Sequence, residues 1–304
     1  PGVARIPYSF GAIVLRGSDP RDNAVYIDGI EVPLAFHFGG LTSFYPSNLL
    51  SRMTVIGGGF DAMYGRAQGG IVELATRDPR TDAVRIGGSV GLLDSAVQAE
   101  FPLAGGGVIA AVRRSYFDLV ARPFVSDDIP LPNYLDAQLR GAWGDPAGKG
   151  RIAPLLFLSL DRVAITDPNG GATPNTSSLS SFVVRAGVPY LRTWGPLALH
   201  AVAWLGADSI AFTSVTNNDE ETFRRPTYPG GARGPLSRVF SWGEVRGGVD
   251  LEGGHLSHAE EGLGQPGDIL EQENGTTSRW WIDSALWSDA RVDVAGDRLS
   301  VKPG

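Results

Sequence analysis

Between Trp280 and Val294 the chain alternates, with Trp280, Ile282, Leu286, Ala290, Val292 and Val294 at even positions and Asp283, Asp289, Arg291 and Asp293 at odd ones. Successive side chains of an extended strand point to opposite faces, so this run builds one apolar face and one charged face. Strands of soluble sheets average ~5–6 residues. A strand about three times that length, with charge repeated along one face, fits a membrane β-barrel wall that is apolar toward lipid and polar toward its interior. Two other segments repeat the pattern. In Asp136–Trp143, Ala137, Leu139 and Trp143 oppose Asp136, Gln138 and Arg140. In Arg151–Leu160 the outward set is Ile152, Pro154, Leu156, Leu158 and Leu160, with Pro154 demanding an edge or a bulge.

Connections follow a matching rhythm. Short Gly-rich links at Ala104–Gly107, Gly144–Gly150 and Ala295–Asp297 alternate with longer polar stretches at Phe117–Asn133, Val163–Ser180, Thr216–Pro235 and Ala259–Thr277. Short turns at one rim and long loops at the other characterise outer-membrane barrels. Strand direction then requires Leu236–Leu256 to be a hairpin turning near Gly243-Glu244. The count from Val84 comes to about eleven strands, roughly half of a ~22-stranded wall. On periodicity alone, a soluble β-sandwich with long loops competes with this reading. No run approaches the ~18 apolar residues of a membrane helix, which a strand-built wall does not need.

Upstream of Val84 the character differs. Arg16-Gly17 follows the short apolar run Ile13–Arg16, and Tyr26–Val32 reads YIDGIEV with Asp28-Gly29 at its centre. Then come Met53–Gly59 with Gly58 and Gly59 closing an apolar strand, Tyr64-Gly65, and Gly69–Arg77 opening on Gly69-Gly70 and ending on Thr76-Arg77. Glycines at these places permit positive φ or close backbone approach, and Ile71 and Leu74 supply buried strand between them. A phosphate-cradling loop at Gly57–Gly59 is the competing reading, but neither G-x-G-x-x-G nor G-x-x-x-x-G-K-[ST] is present.

These five ordered pieces resemble the plug domain of TonB-dependent outer-membrane transporters. The resemblance implies a mixed α/β plug domain over residues 1–80, followed over residues 81–304 by antiparallel transmembrane β-barrel strands, about half of an incomplete barrel. It implies gated uptake of a scarce solute, such as a metal chelate, glycan or peptide. Its partners would be outer-membrane lipid and a TonB-type energy-coupling protein, whose contact segment is absent here. The turn after Arg16-Gly17 and the segment after Asp28-Gly29 are implied to face outward and line the ligand pocket. Asp19, Arg21, Asp22, Phe36, His37 and Phe38 are therefore the candidate ligand residues, with Phe36 and Phe38 packed on the wall and His37 merely solvated as the competing reading. Arg16 and Arg66 are expected to pair with acids on the inner wall.

The chain has 304 residues, 41 of them Gly, with no Cys and a formal charge of −7. It starts without Met and stops in what reads as a strand, so a piece of a longer protein is expected. Lack of Cys removes disulfide, thiolate-metal and Cys-nucleophile chemistry, and the acidic balance argues against nucleic acid. His255, His258, Glu260 and Glu261 could gather a metal on a helix, but their glycine-flanked setting reads as a strand end entering a loop. Asp127-Asp128 is weak as a Ca²⁺ site, and no serine-nucleophile motif occurs. No enzyme, cofactor or metal is expected. Transport leads, with a signalling or partner-docking surface receptor as the alternative and a secreted β-rich binding module third.

Overall fold

The computed structural model describes residues 3–5, 13–19, 22–38, 42–126, 129, 131–145, 147, 149–167, 175–216, 219–262, 276–294 and 299–301. Three sheets organise them. Strands β1 (Val3–Arg5) and β2 (Ile13–Leu15) pair with each other. A four-stranded mixed sheet runs in the order β4 (Ile30–Val32), β3 (Asn23–Ile27), β6 (Gly70–Thr76), β5 (Leu50–Ile56), with β3 and β6 parallel.

The third sheet is an antiparallel meander. It comprises β7 (Arg85–Val90), β8 (Asp94–Leu103), β9 (Gly106–Ser115), β10 (Asn133–Asp145), β11 (Gly150–Ile152), β12 (Leu155–Asp167), β13 (Asn175–Trp194), β14 (Leu197–Thr216), β15 (Asp219–Phe240), β16 (Gly243–Gly262), β17 (Thr276–Val294) and β18 (Leu299–Val301). Strands β11 and β12 both lie between β10 and β13, so these twelve strands fill eleven places in the wall. The only α-helix among the described residues, α1 (Phe117–Ala121), bridges β9 and β10.

The wall is apolar outside and polar inside. On β17, Trp280, Ile282 and Leu286 are 78–84% exposed, whereas Asp289 binds Arg246 of β16, which also reaches Asp61 beside the small sheet. The even-apolar, odd-charged register is thus the one present. On β10, Asp136, Gln138 and Arg140 are buried while Leu139 is exposed. On β11 and β12, Ile152, Leu156 and Leu160 are exposed and Leu155, Phe157 and Asp161 are buried.

Three expectations need correction. Pro154 makes no bulge and sits at no edge. The pairings Trp143↔Ile152 and Arg140↔Leu155 keep one offset across it, Gly141 N–H donates to its carbonyl, and Ala153 N–H donates to Pro189. Only the donor that proline lacks is missing from the ladder. The long connections are also shorter than the polar composition suggests. β14 continues to Thr216 and β15 starts at Asp219, so the supposed loop Thr216–Pro235 is mostly strand. β12 and β13 likewise consume both ends of Val163–Ser180. Polar residues above a membrane can stay in register because the ladder hydrogen bonds persist in water as well as in lipid. The hairpin expected near Gly243-Glu244 turns at Ser241-Trp242.

The small sheet packs into the concave face of the wall. Ile13, Leu15, Val25, Ile27, Ile30, Val72 and Leu74 share one apolar cluster with Ile109, Leu155, Phe157, Val183, Val202 and Trp204 of the meander. Strand β3 is covered on both sides, since Ala24 and Tyr26 join Tyr64, Ala67 and Ile71 in a second cluster. Asp28 (φ 48°) and Gly29 (φ 82°) form the two-residue left-handed turn between β3 and β4. A side chain at Gly70 would meet Leu15 Cδ1 at 2.5 Å, so β2 crosses the sheet only because that position is bare.

An exposed apolar face this extensive is stable only in lipid. Leu286 lies in the middle of the uncharged stretch of the outer face of β17. Leu286→Arg is expected to cost about 2–4 kcal/mol in the full-length protein folded into vesicles, measured by urea titration of the membrane-inserted state. A change within error would mean that Leu286 does not face lipid.

Candidate functional site: the contact between small sheet and wall

The motif residues of the first eighty positions divide into turn formers and tethers. Arg16 (φ 50°) and Gly17 (φ 81°) turn the chain after β2, Ser18 N–H donates to Leu15, and the Arg16 side chain lies over Gly57. Gly58 and Gly59 carry positive φ in the turn after β5, and Gly65 ends a short 3₁₀ turn. Gly69 lies against Ser18 and Asn23, and its N–H donates to the Asp22 carbonyl. Asp28 accepts from Thr76 N–H at 2.9 Å and Thr76 Oγ1 at 2.5 Å, tying the Asp-Gly turn to the end of β6.

Tethers then cross to the wall. Arg77 binds Glu100 of β8 through two bonds of 2.6 and 2.9 Å and also donates to the Asn48 carbonyl. Arg151 pairs with Asp78, and Arg140 stands 3.6 Å from Asp28 and 3.7 Å from Asp78. Arg66 reaches Glu252 at 2.6 Å, Asp250 at 3.3 Å and Glu31 at 3.5 Å, the inner-wall pairing expected of it. Arg233 binds Asp250 at 2.8 Å with its guanidinium 4.5 Å from the Tyr26 ring centre. Tyr64, its ring tilted at 45° to that of Tyr26, donates its hydroxyl to Glu73.

Near the rim with the longer connections stands a buried cluster around His37. The backbone bonds His37 N–H to Thr42 and Phe44 N–H to Ala35 fold this segment back on itself and aim the imidazole at the wall. His37 Nδ1 is 2.8 Å from Asp161, and Nε2 is 3.1 Å from Asp136, with His37 and Asp136 at 1% and 0% exposure. Its ring stacks on Tyr134 at 3.9 Å. Arg113 donates two bonds to Asp136 at 2.6 and 2.9 Å and one to the Ser43 carbonyl, with Nη2 also 3.1 Å from His37 Nε2.

Burial opposes charging the imidazole, but the hydrogen bonds to Asp136 and Asp161 outweigh it, and the His37 pKa is raised. As imidazolium it donates to both carboxylates, so two anions balance His37 and Arg113. When neutral it keeps one N–H and can donate to only one of the two carboxylates; in the Nδ1–H tautomer, Nε2 accepts from Arg113 and faces Asp136 without a proton between them.

Several candidate ligand residues therefore stand elsewhere than expected. His37 is neither open nor merely solvated: it is a buried tether. Phe38 is 5% exposed and Phe36 packs against the main cluster, so no exposed pair of aromatic rings forms beside it. The partners of His37 lie 99 and 124 residues away, which no local pattern reveals. Asp19 is exposed, and Asp22 uses its carbonyl to hold Gln68 and Gly69. Arg21 and Asp127-Asp128 lie outside the described residues, as do the side chains of His258, Glu260 and Glu261. The segment carrying His258 continues β16 to Gly262 instead of entering a loop. No group of acidic and histidine side chains suited to a metal occurs among the described residues.

Residues 1–71 match the family model of the TonB-dependent Receptor Plug Domain. Solved structures with the same fold include the ferric-catecholate import receptor Fiu of E. coli K12 (14% identity, TM-score 0.54, 97% of this chain and 64% of that one). They also include the ferric yersiniabactin uptake receptor FyuA of Yersinia pestis (13%, 0.62, 97% and 58%) and the copper transporter OprC (12%, 0.62, 97% and 58%). The chain thus spans 58–64% of the length of these three receptors. No curated protein sequence matches it.

His37 is protonated more readily in the docked state than in an unfolded chain. Its stabilisation is complete below the unfolded pKa of ~6.5 and fades as pH rises through the raised folded value. His37→Ala is expected to destabilise docking by about 3–5 kcal/mol at pH 6, because it leaves buried carboxylates short of a partner, and by less at pH 9. Hydrogen exchange of β3 and β6 in the full-length protein measures this, and a pH-independent loss would contradict it.

Proposed function

Since the chain carries the plug domain of TonB-dependent receptors and has their fold, we propose that it acts in TonB-dependent uptake across the bacterial outer membrane. Residues 1–80 serve as the plug and residues 81–304 as the first part of the wall. The reading is carried by one observation: besides its apolar centre, the contact between plug and wall is held by ion pairs at Arg66, Arg77, Asp61, Asp78 and His37. Such pairs hold the closed state yet can be re-solvated when the plug is pulled or remodelled. An all-apolar contact would resist water entry at every step.

The mechanism is gated binding and translocation with no covalent chemistry, so the protein is no enzyme. Its partners are a TonB-type coupling protein, outer-membrane lipid and a small extracellular solute. The proteins of like fold named above are described as ferric-catecholate, ferric yersiniabactin and copper transporters or receptors, which makes a metal chelate the first solute to try. Glycans and peptides come next. On the family resemblance, Asp19, Arg21 and Asp22 are the part of the plug we assign to contact with it.

These 304 residues hold no cysteine, so a pair introduced in them is a direct test. In the full-length receptor, cysteines replacing Asp61 and Arg246, whose side chains meet at 2.9 Å, are joined by a cleavable cross-linker. Uptake by cells should stop on cross-linking and recover on cleavage, while surface binding persists. Persisting uptake would remove the gated-plug mechanism, and binding without uptake in either state would favour a signalling receptor. For an anionic solute, Arg21→Ala should weaken binding by about 1–3 kcal/mol with little change in melting temperature. Isothermal titration of both forms decides this, and equal affinities would remove Arg21 from the site.

A further inference from the structure

The outer face of the wall carries arginines at two levels with nothing charged between them. On β15 the outward positions from Arg224 to Arg238 are Pro226, Tyr228, Gly230, Ala232, Gly234 and Leu236. Fourteen steps along a strand tilted by ~40° climb roughly 35 Å, enough to cross the apolar band and reach both interfaces. Arg238 and Arg192, at the short-turn rim, each lie against a ring of their own, Phe240 at 4.8 Å and Trp194 at 5.2 Å.

At the opposite rim the arginines are set differently. Arg162 and Arg224 lie on one cross-strand row, Arg162↔Ser180, Ser180↔Ala211, Ala211↔Arg224. Three strand spacings put their backbones about 14 Å apart. Both side chains, with that of Arg114, line an outward groove of about 690 Å³, floored by Leu135, Leu160 and Phe182. Hydroxyls of Ser180, Ser209, Thr213 and Thr222 fill the space between the guanidinium groups. Arg224 donates to Ser209 Oγ at 3.3 Å. No ion pair to Arg114 or Arg162 occurs among the described residues. Two acidic residues line the groove: Glu220 at its upper end, and Asp161, whose carboxylate is turned to His37 on the inner side.

We propose that this groove binds the phosphate of a lipid headgroup in the outer leaflet, with the acyl chains lying on Leu135, Leu160 and Phe182. The proposal rests on the membrane-barrel reading. Two or three guanidinium groups separated by hydroxyl donors match the oxygens of phosphate esters. The apolar floor directly below them fits a ligand with a hydrocarbon tail and not a free ion. Arginine side chains at such a depth reach the interface by extending along the wall.

The test uses the full-length receptor in detergent, with phosphatidic acid, phosphatidylcholine or inorganic phosphate as probe and native mass spectrometry as readout. Wild type should retain phosphatidic acid in preference to phosphatidylcholine, and millimolar inorganic phosphate should not displace it. Each arginine near an anionic surface contributes about fivefold, so Arg162→Ala/Arg224→Ala should lower retention roughly 25-fold. The charge-keeping Arg162→Lys/Arg224→Lys should keep most of it, and Arg192→Ala/Arg238→Ala at the other rim should leave the bulk of it. Heat-modifiable gel migration reports that each variant is folded. Equal retention by the double alanine variant, or displacement by inorganic phosphate, would overturn the lipid site while leaving the barrel intact. Failure of wild type to float with phosphatidylcholine vesicles would overturn the barrel reading itself, an outcome distinct from loss of lipid preference.

Discussion

A barrel in lipid must turn its apolar side chains outward, which leaves its concave face polar. That inversion is the constraint on which the rest of this structure depends. Asp136, Gln138, Arg140, Arg185, Arg233 and Asp250 all sit on the inner wall and are buried. Charges so placed are tolerated only when each finds a partner, and the plug supplies many of them. Arg66, Arg77 and His37 satisfy wall acids, while Asp61 and Asp78 satisfy wall arginines. The plug thus serves as counter-charge for the wall, and the wall supplies the second face that a sheet of four short strands needs.

Apolar and ionic contacts occupy different parts of that contact. Ile27, Ile30, Val72 and Leu74 meet Leu155, Phe157, Val202 and Trp204 at the centre, and the ion pairs surround them. The centre fixes where the plug rests. The surrounding charges decide how readily water can follow if it moves, because separated ions are rehydrated favourably and separated apolar surfaces are not. His37 differs from the arginine tethers in that its charge depends on pH within a moderate range, and Arg113 can bond the neutral tautomer whose Nε2 is bare.

Much of the wall was legible from residue order. Period-two alternation placed Leu139, Ile152, Leu156 and Leu286 outside and Asp136, Arg140 and Asp289 inside, since the pleat leaves a strand no other choice. Loop lengths were less legible. Polar sequence such as Thr216–Pro235 reads as loop, yet it continues β15 because strand pairing above the membrane is indifferent to hydropathy. Pro154 misled for a related reason: its neighbours' hydrogen bonds hold the register without its own donor.

The sequence by itself determined the two-part organisation, the inside and outside of each long strand, and the turns at Arg16-Gly17 and Asp28-Gly29, all of them set by bonds and sterics within a few residues. Tertiary structure alone decided the fate of His37 and which acids Arg66 meets. Their partners on strands β10, β12 and β16 lie roughly one to two hundred positions away. A histidine beside two phenylalanines looks the same in sequence whether it meets solvent or two carboxylates. Only the packing of plug against wall brings Asp136 and Asp161 to its two ring nitrogens.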